Sequence, residues 1–110
     1  MNKQTYLGEF EHLVLLAILG LGDAAHSRTI RQELEARAGR SVSRSAAYIT
    51  LERLVKKGYL VPRMGEPTAE RGGRAKRFFT PTPAGMAALS DSGRALMRMW
   101  EGHESLLEDT

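Results

Sequence analysis

Four cations stand within the seven residues Arg71-Gly72-Gly73-Arg74-Ala75-Lys76-Arg77, with a glycine pair and no acid among them. Lys and Arg side chains at this density hold phosphates, and glycines let a backbone turn tightly and approach a partner closely. On a hairpin tip such cations suit the phosphates beside a minor groove, whose narrow stretches also attract Arg. A charge run by itself is more often a solvated face, so its neighbours in the chain decide its meaning.

The segment from Ser43 to Arg53 is the second group. If Leu51 faces a core, 100° per residue puts Ser45, Ala46, Ile49 and Arg53 on the far side, with Ser43, Arg44 and Tyr48 near the start or edge. That outer face is small and polar enough near its start to enter a major groove, which admits one helix. The first-turn N–H groups and Ser43 can hold a phosphate, and the Tyr48 hydroxyl can reach another. An ordinary surface helix with Tyr48 half-buried is the plainer account of the same residues.

Other chemistry is sparse. Gly20-Leu21-Gly22-Asp23-Ala24-Ala25 fits the G-x-G-x-x-A form of a dinucleotide fingerprint. That fingerprint needs a strand before it and an acid at the end of a second strand. Here the preceding run has helical spacing back to Leu7, and Glu33 and Glu35 fall within a helical segment. His12, His26 and His103 are far apart and show no metal-ligand spacing, and no Gly-x-Ser-x-Gly elbow occurs. With no cysteine, thiolate metal sites, disulfides and thiol nucleophiles are excluded. The chain carries no catalytic constellation and reads as a non-enzyme without metal or organic cofactor.

The elements that must position these groups follow from periodicity. Leu7, Phe10, Leu13, Val14, Ala17, Ile18 and Leu21 recur at helical spacing, closed by Gly20 and Gly22. Ser27 predicts the N-cap of a second helix that turns Ile30 and Leu34 inward and ends at Gly39. Ser43 predicts the N-cap of a third, with Ala47, Leu51, Leu54 and Val55 inward and Gly58 as its stop. Two short helices after a longer one give a helix-turn-helix. Tyr59 to Arg63 and Arg74 to Thr80 read as strands joined by a long loop, a wing. Thr82-Pro83 opens a last helix, expected to hold to Trp100, with apolar or small residues at 86, 89, 93, 96, 100, 103 and 107.

The charge distribution agrees with that layout. Net charge is only +3, but Ser27 to Thr80 holds 13 Lys and Arg against 5 Glu, while the flanks hold 3 basic and 8 acidic residues. A basic middle between acidic ends assigns one surface to a polyanion and the others to different work. The longest apolar run, Leu13 to Leu19, falls far short of the ~20 residues that span a bilayer, and it follows Glu9, Glu11 and His12 where an export signal would open with basic residues, so none is expected. A soluble cytoplasmic chain with no membrane partner is expected. At 110 residues with 42% hydrophobic content, one modest core forms and a dimer interface is a natural way to bury the remaining apolar surface.

The fold class is therefore mostly α with a small β-hairpin wing. A winged helix-turn-helix over 1–81 precedes a dimerisation helix over 82–110. The DNA-contacting candidates are Ser43, Arg44, Ser45, Ala46, Tyr48 and Ile49 on the third helix, and Arg71, Gly72, Gly73, Arg74, Lys76 and Arg77 on the wing. The dimer candidates are Met86, Leu89, Gly93, Leu96 and Trp100, a stripe that one small domain is not expected to bury alone. Trp100, the single tryptophan, either packs in that interface or stacks on a flat effector held between subunits.

From Leu7 to about Trp100 the ordered set of motifs resembles the PadR family of winged-helix regulators. The carrying residues are Leu7-Gly8-Glu9-Phe10-Glu11, Val14-Leu15-Leu16-Ala17-Ile18-Leu19 and Gly39-Arg40-Ser41-Val42-Ser43. Ala47-Tyr48, Leu51-Glu52-Arg53-Leu54, Lys57-Gly58-Tyr59-Leu60, the wing through Phe78-Phe79 and Thr82-Pro83-Ala84-Gly85 complete the match. The resemblance implies a homodimer joined through the last helix and often the first, bound to a pseudo-palindromic operator in double-stranded DNA. It also implies repression, relief by a small aromatic effector, and DNA contacts from Ser43, Ser45, Tyr48 and the wing cations. Two departures stand out: His26-Ser27 where the family usually has Tyr-Gly, and Ser45 where Gly is common. The competing reading is a winged-helix module that contacts proteins and has no specific DNA target; steep salt dependence of DNA binding separates the two.

Overall fold

The computed structural model describes residues 6–66 and 75–108. Helix α1 spans Glu9–Leu21, two residues later than the apolar spacing predicts. Gly8 is its extended N-cap, and the Gly8 N–H donates to Glu11 Oε1 at 2.9 Å. Val14, Leu15, Ala17 and Ile18 turn inward from α1. A 3-10 turn, Gly22–Ala24, follows directly, so the glycine pair of the fingerprint-like sequence ends a helix and follows no strand.

Helix α2 spans Ser27–Ala38 and buries Ile30 and Leu34. Its N-cap is His26, not Ser27, which corrects the sequence expectation. The reason is local: the Thr29 hydroxyl accepts the His26 N–H at 3.0 Å and donates to the Ala24 carbonyl at 2.5 Å. With that hydroxyl holding the chain just before the helix, Ser27 falls inside the first turn. Helix α3 spans Arg44–Lys56, and its N-cap is Ser43 as expected, with Ser43 Oγ accepting the Ala46 N–H at 3.1 Å. Such a cap is worth about 1 kcal/mol.

At the end of α3, Gly58 adopts φ +80°, a left-handed conformation that suits glycine. The Tyr59 N–H reaches back to the Leu54 carbonyl at 2.9 Å. That turn uses Tyr59, so the first strand, β1, begins one residue later than predicted and runs Leu60–Met64. The second strand, β2, covers Arg77–Pro81 and pairs antiparallel with it, from Leu60 opposite Pro81 to Met64 opposite Arg77. The base of this wing is also pinned from the other side. His26 bridges to Phe78, and the Phe79 N–H donates to the Ala25 carbonyl at 3.0 Å.

Helix α4 spans Pro83–Trp100, with Thr82 Oγ1 capping the Gly85 N–H at 3.0 Å. Its start is bolted to the α3 turn: Thr82 donates through its N–H to the Tyr59 carbonyl and through its hydroxyl to the Gly58 carbonyl. A Cβ at Gly85 would stand 2.2 Å from the Tyr59 oxygen, so only glycine permits this approach. The helix ends at Trp100, and Glu104–Leu107 form a separate 3-10 turn, so the apolar spacing beyond Trp100 is not helical continuation. One core joins these elements, with Leu15 and Ile18 of α1, Ile30 of α2, Leu54 of α3 and Leu60 of β1 almost fully buried. Three helices, a two-stranded antiparallel wing and a terminal helix make a winged helix-turn-helix. Among the described residues no helix is long and apolar enough to cross a membrane.

Candidate nucleic-acid interface

Because Ala47, Thr50, Leu51 and Leu54 point into the core, the opposite face of α3 is free. Ser43, Arg44, Ser45, Ala46, Tyr48 and Ile49 are all exposed there, with Tyr48 60% and Ile49 55% accessible. Tyr48 therefore stands out from the surface and is not a half-buried core residue. Ser43 serves the helix cap and lies 3.4 Å from the Ser45 hydroxyl, so the first turn presents adjacent hydroxyls.

The wing candidates divide. Arg71, Gly72, Gly73 and Arg74 lie outside the described residues. Lys76 is exposed just ahead of β2. Arg77 is held inward: its guanidinium donates to Glu52 of α3 and lies 5.1 Å from the Phe79 ring centre. The sequence counted Arg77 as one of several wing cations, whereas the fold uses it to join the wing to α3.

Between α2, α3 and the wing base lies a cleft of about 390 Å³. Arg28, Arg31, Arg44, Lys76 and Arg77 line it together with Tyr48, over an apolar floor that includes Leu51 and Phe79. Arg28 and Arg31 were missed from the sequence, although their spacing of three on the first turns of α2 puts them on one face. His26 also faces the cleft, its ring edge-on to Phe78 at 5.3 Å between centres. Burial, then the charges of Lys76 and Arg28, hold its imidazole below the usual histidine value. Arg63 of β1 lies 4.7 Å above the same Phe78 ring and donates to the Asp23 carbonyl.

Outside the cleft lining, α4 and α1 carry exposed apolar side chains. Met86 and Leu96 are exposed, as are Met97, Met99 and, beyond the helix, Leu106 and Leu107. Trp100 and Gly93 are half-buried. Leu89 departs from the expectation: it is 7% exposed and packs in the core of its own chain. Period alone does not distinguish a side chain facing its own α1 from one facing outward. Leu16 and Leu19 of α1 are exposed as well, and α1 is tied to α4 by a 2.7 Å hydrogen bond between His12 and Ser92. Among the described residues no cluster of His, Asp or Glu has the arrangement of a metal site.

The model of the transcriptional regulator PadR-like family matches residues 15–91. Transcriptional regulator Rv3488 of Mycobacterium tuberculosis is 42% identical over 71 residues, which are 64% of this chain and 62% of that protein. The match thus spans less than two thirds of that relative's length. A PadR family transcription regulator from Clostridium difficile superposes with a TM-score of 0.73 at 14% identity, over 92% of this chain and 100% of the other. Bacillus subtilis PadR in complex with operator DNA superposes with a TM-score of 0.61 at 23% identity, over 74% of this chain and 46% of the other.

Proposed function

The chain belongs to the PadR-like family of transcriptional regulators, which are not enzymes, and we propose that it acts as a homodimeric, cytoplasmic repressor of a pseudo-palindromic operator. One observation carries the reading: the free face of α3 adjoins a concave basic surface. A helix with small polar side chains at its start fits a major groove, and cations beside it fit the flanking phosphates. Operator DNA in the Bacillus subtilis relative's structure supports the same assignment.

Dimerisation is supported by the exposed apolar residues of α4 and α1, which water does not favour and a second copy would cover. A two-fold dimer through α4 would present two copies of α3 to half-sites about 34 Å apart. Repression would follow from occlusion of a promoter. Relief by a small planar effector is supported by Trp100, half-buried at the end of α4 beside exposed Met97 and Met99. The test is selection of bound sequences from random DNA, followed by affinity measurements across salt. The reading predicts an inverted repeat and a steep fall in affinity with salt. Enrichment of no sequence, with salt-insensitive binding, would refute it.

A further inference from the structure

The cleft between α2, α3 and the wing base has an uncompensated charge. Five cationic side chains line it, and no carboxylate does among the described residues. Arg77 is paired with Glu52, which leaves Arg28, Arg31, Arg44 and Lys76 as the four lining cations with no carboxylate partner among the described residues. Arg31 contributes a buried Nε that has no hydrogen-bond partner among the described residues. A buried donor left unpaired is costly, and a charged one more so. The arrangement calls for an anion.

We propose that this cleft holds one backbone phosphate of bound DNA, and that His26 takes up a proton from solvent as the phosphate enters. This rests on the DNA-binding reading above and names a site within it. The occupant is a phosphodiester because the cleft opens beside the exposed start of α3, where a strand bordering the groove must pass. Arg31 and Arg28 approach it from α2, Arg44 and the Tyr48 hydroxyl from α3, and Lys76 from the wing. His26 sees these same groups, with Arg63 of β1 across the Phe78 ring. In the free protein, burial and the neighbouring cations disfavour the imidazolium. A phosphate reverses the balance by placing negative charge within the cation cluster. Binding and protonation then favour each other, so affinity for DNA rises as pH falls.

The experiment measures affinity for the selected operator at fixed salt between about pH 5 and pH 8, the range over which histidine titrates. The unmodified protein should gain affinity toward low pH, by up to about tenfold per pH unit where one proton is taken up. His26→Gln should flatten this dependence while keeping specific binding. Arg31→Met should weaken binding roughly tenfold at every pH and remove about one unit from the salt slope. Arg37→Ala, an exposed cation elsewhere on α2, serves as the control and should do neither. A pH dependence unchanged by His26→Gln, or a full salt slope in Arg31→Met, would overturn the proposal while leaving operator binding intact. Titration of the His26 ring by NMR, with inorganic phosphate or with DNA, separates the sources of the anion. A shift to higher pH with DNA supports the phosphodiester; a shift with inorganic phosphate alone overturns it in favour of a free phosphoryl ligand.

Discussion

The Arg77 guanidinium donates to the Glu52 carboxylate, so the wing and α3 are joined across 25 residues of sequence by one partly exposed ion pair. Arg77→Ala is expected to loosen the wing and lower DNA affinity by roughly fivefold, about 1 kcal/mol, the upper range for such pairs. The salt slope should stay the same, because the guanidinium is committed to Glu52. Lys76→Ala should instead lower the slope by about one unit. Affinity measured for both variants over a salt series checks the distinction, and a reduced slope in Arg77→Ala would make that residue a direct phosphate contact.

Lys57, the C-cap of α3, donates to both oxygens of Glu11 in α1, at 3.0 and 2.8 Å, and the carboxylate is almost fully buried. Burial alone would raise the Glu11 value, but the hydrogen bonds from Lys57 and Gly8 and the charges of Lys57 and Arg53 bring it below the usual carboxylate range. A group lowered in the folded state stabilises above its unfolded value, and that contribution disappears as pH falls through the folded one. Lys57→Met should therefore cost about 2 kcal/mol at neutral pH, between exposed and fully buried pairs. Denaturant melts should show the gap between this variant and the unmodified protein narrowing below about pH 4. A gap constant with pH would mean that the pair contributes packing only.

Leu89 and Leu96 lie on one helix but should fail differently when changed. Leu89→Ala opens the chain's own core and should cost about 2–5 kcal/mol of folding stability. Leu96→Glu touches an exposed position and should leave the secondary structure intact while abolishing the dimer. Sedimentation and far-ultraviolet circular dichroism on both variants decide the matter. A monomeric unmodified protein at micromolar concentration would remove the dimer from the proposal.

Trp100 reports on its own surroundings. Planar aromatic compounds that enter the space between two α4 helices should quench its fluorescence. By linkage they should weaken operator binding by the same factor by which operator weakens theirs. Quenching that leaves DNA affinity unchanged would confine Trp100 to packing.

What the sequence disclosed was what depends on near neighbours. Ser43 and Thr82 are readable as caps because the N–H they accept lies three residues on. Gly58 is readable as a stop because the left-handed turn it makes is local. His26 escaped notice as a cap because the stabilising hydroxyl belongs to Thr29 and reaches backwards. Glu52–Arg77 and Glu11–Lys57 join positions 25 and 46 residues apart, which no periodicity connects. The outer face of α3 was legible because an inward stripe defines its opposite. The basic cleft was not, since Arg28 and Arg31 meet the wing only after α2 has docked.

The bolt at Thr82 makes a crank of the whole molecule. It clamps the start of α4 to the turn that ends α3, at Gly58 and Tyr59. From there α4 projects 18 residues, about 27 Å, to Trp100. A handle of that length turned by a few degrees sweeps its tip through an ångström or more, and a rigid clamp would pass the same angle to α3. Gly85 keeps the bearing tight, since a bulkier residue would pry shaft from socket. In the proposed dimer on DNA, the fold would gear the α4 seam to the outer face of α3, and slack at residue 85 would disconnect one from the other.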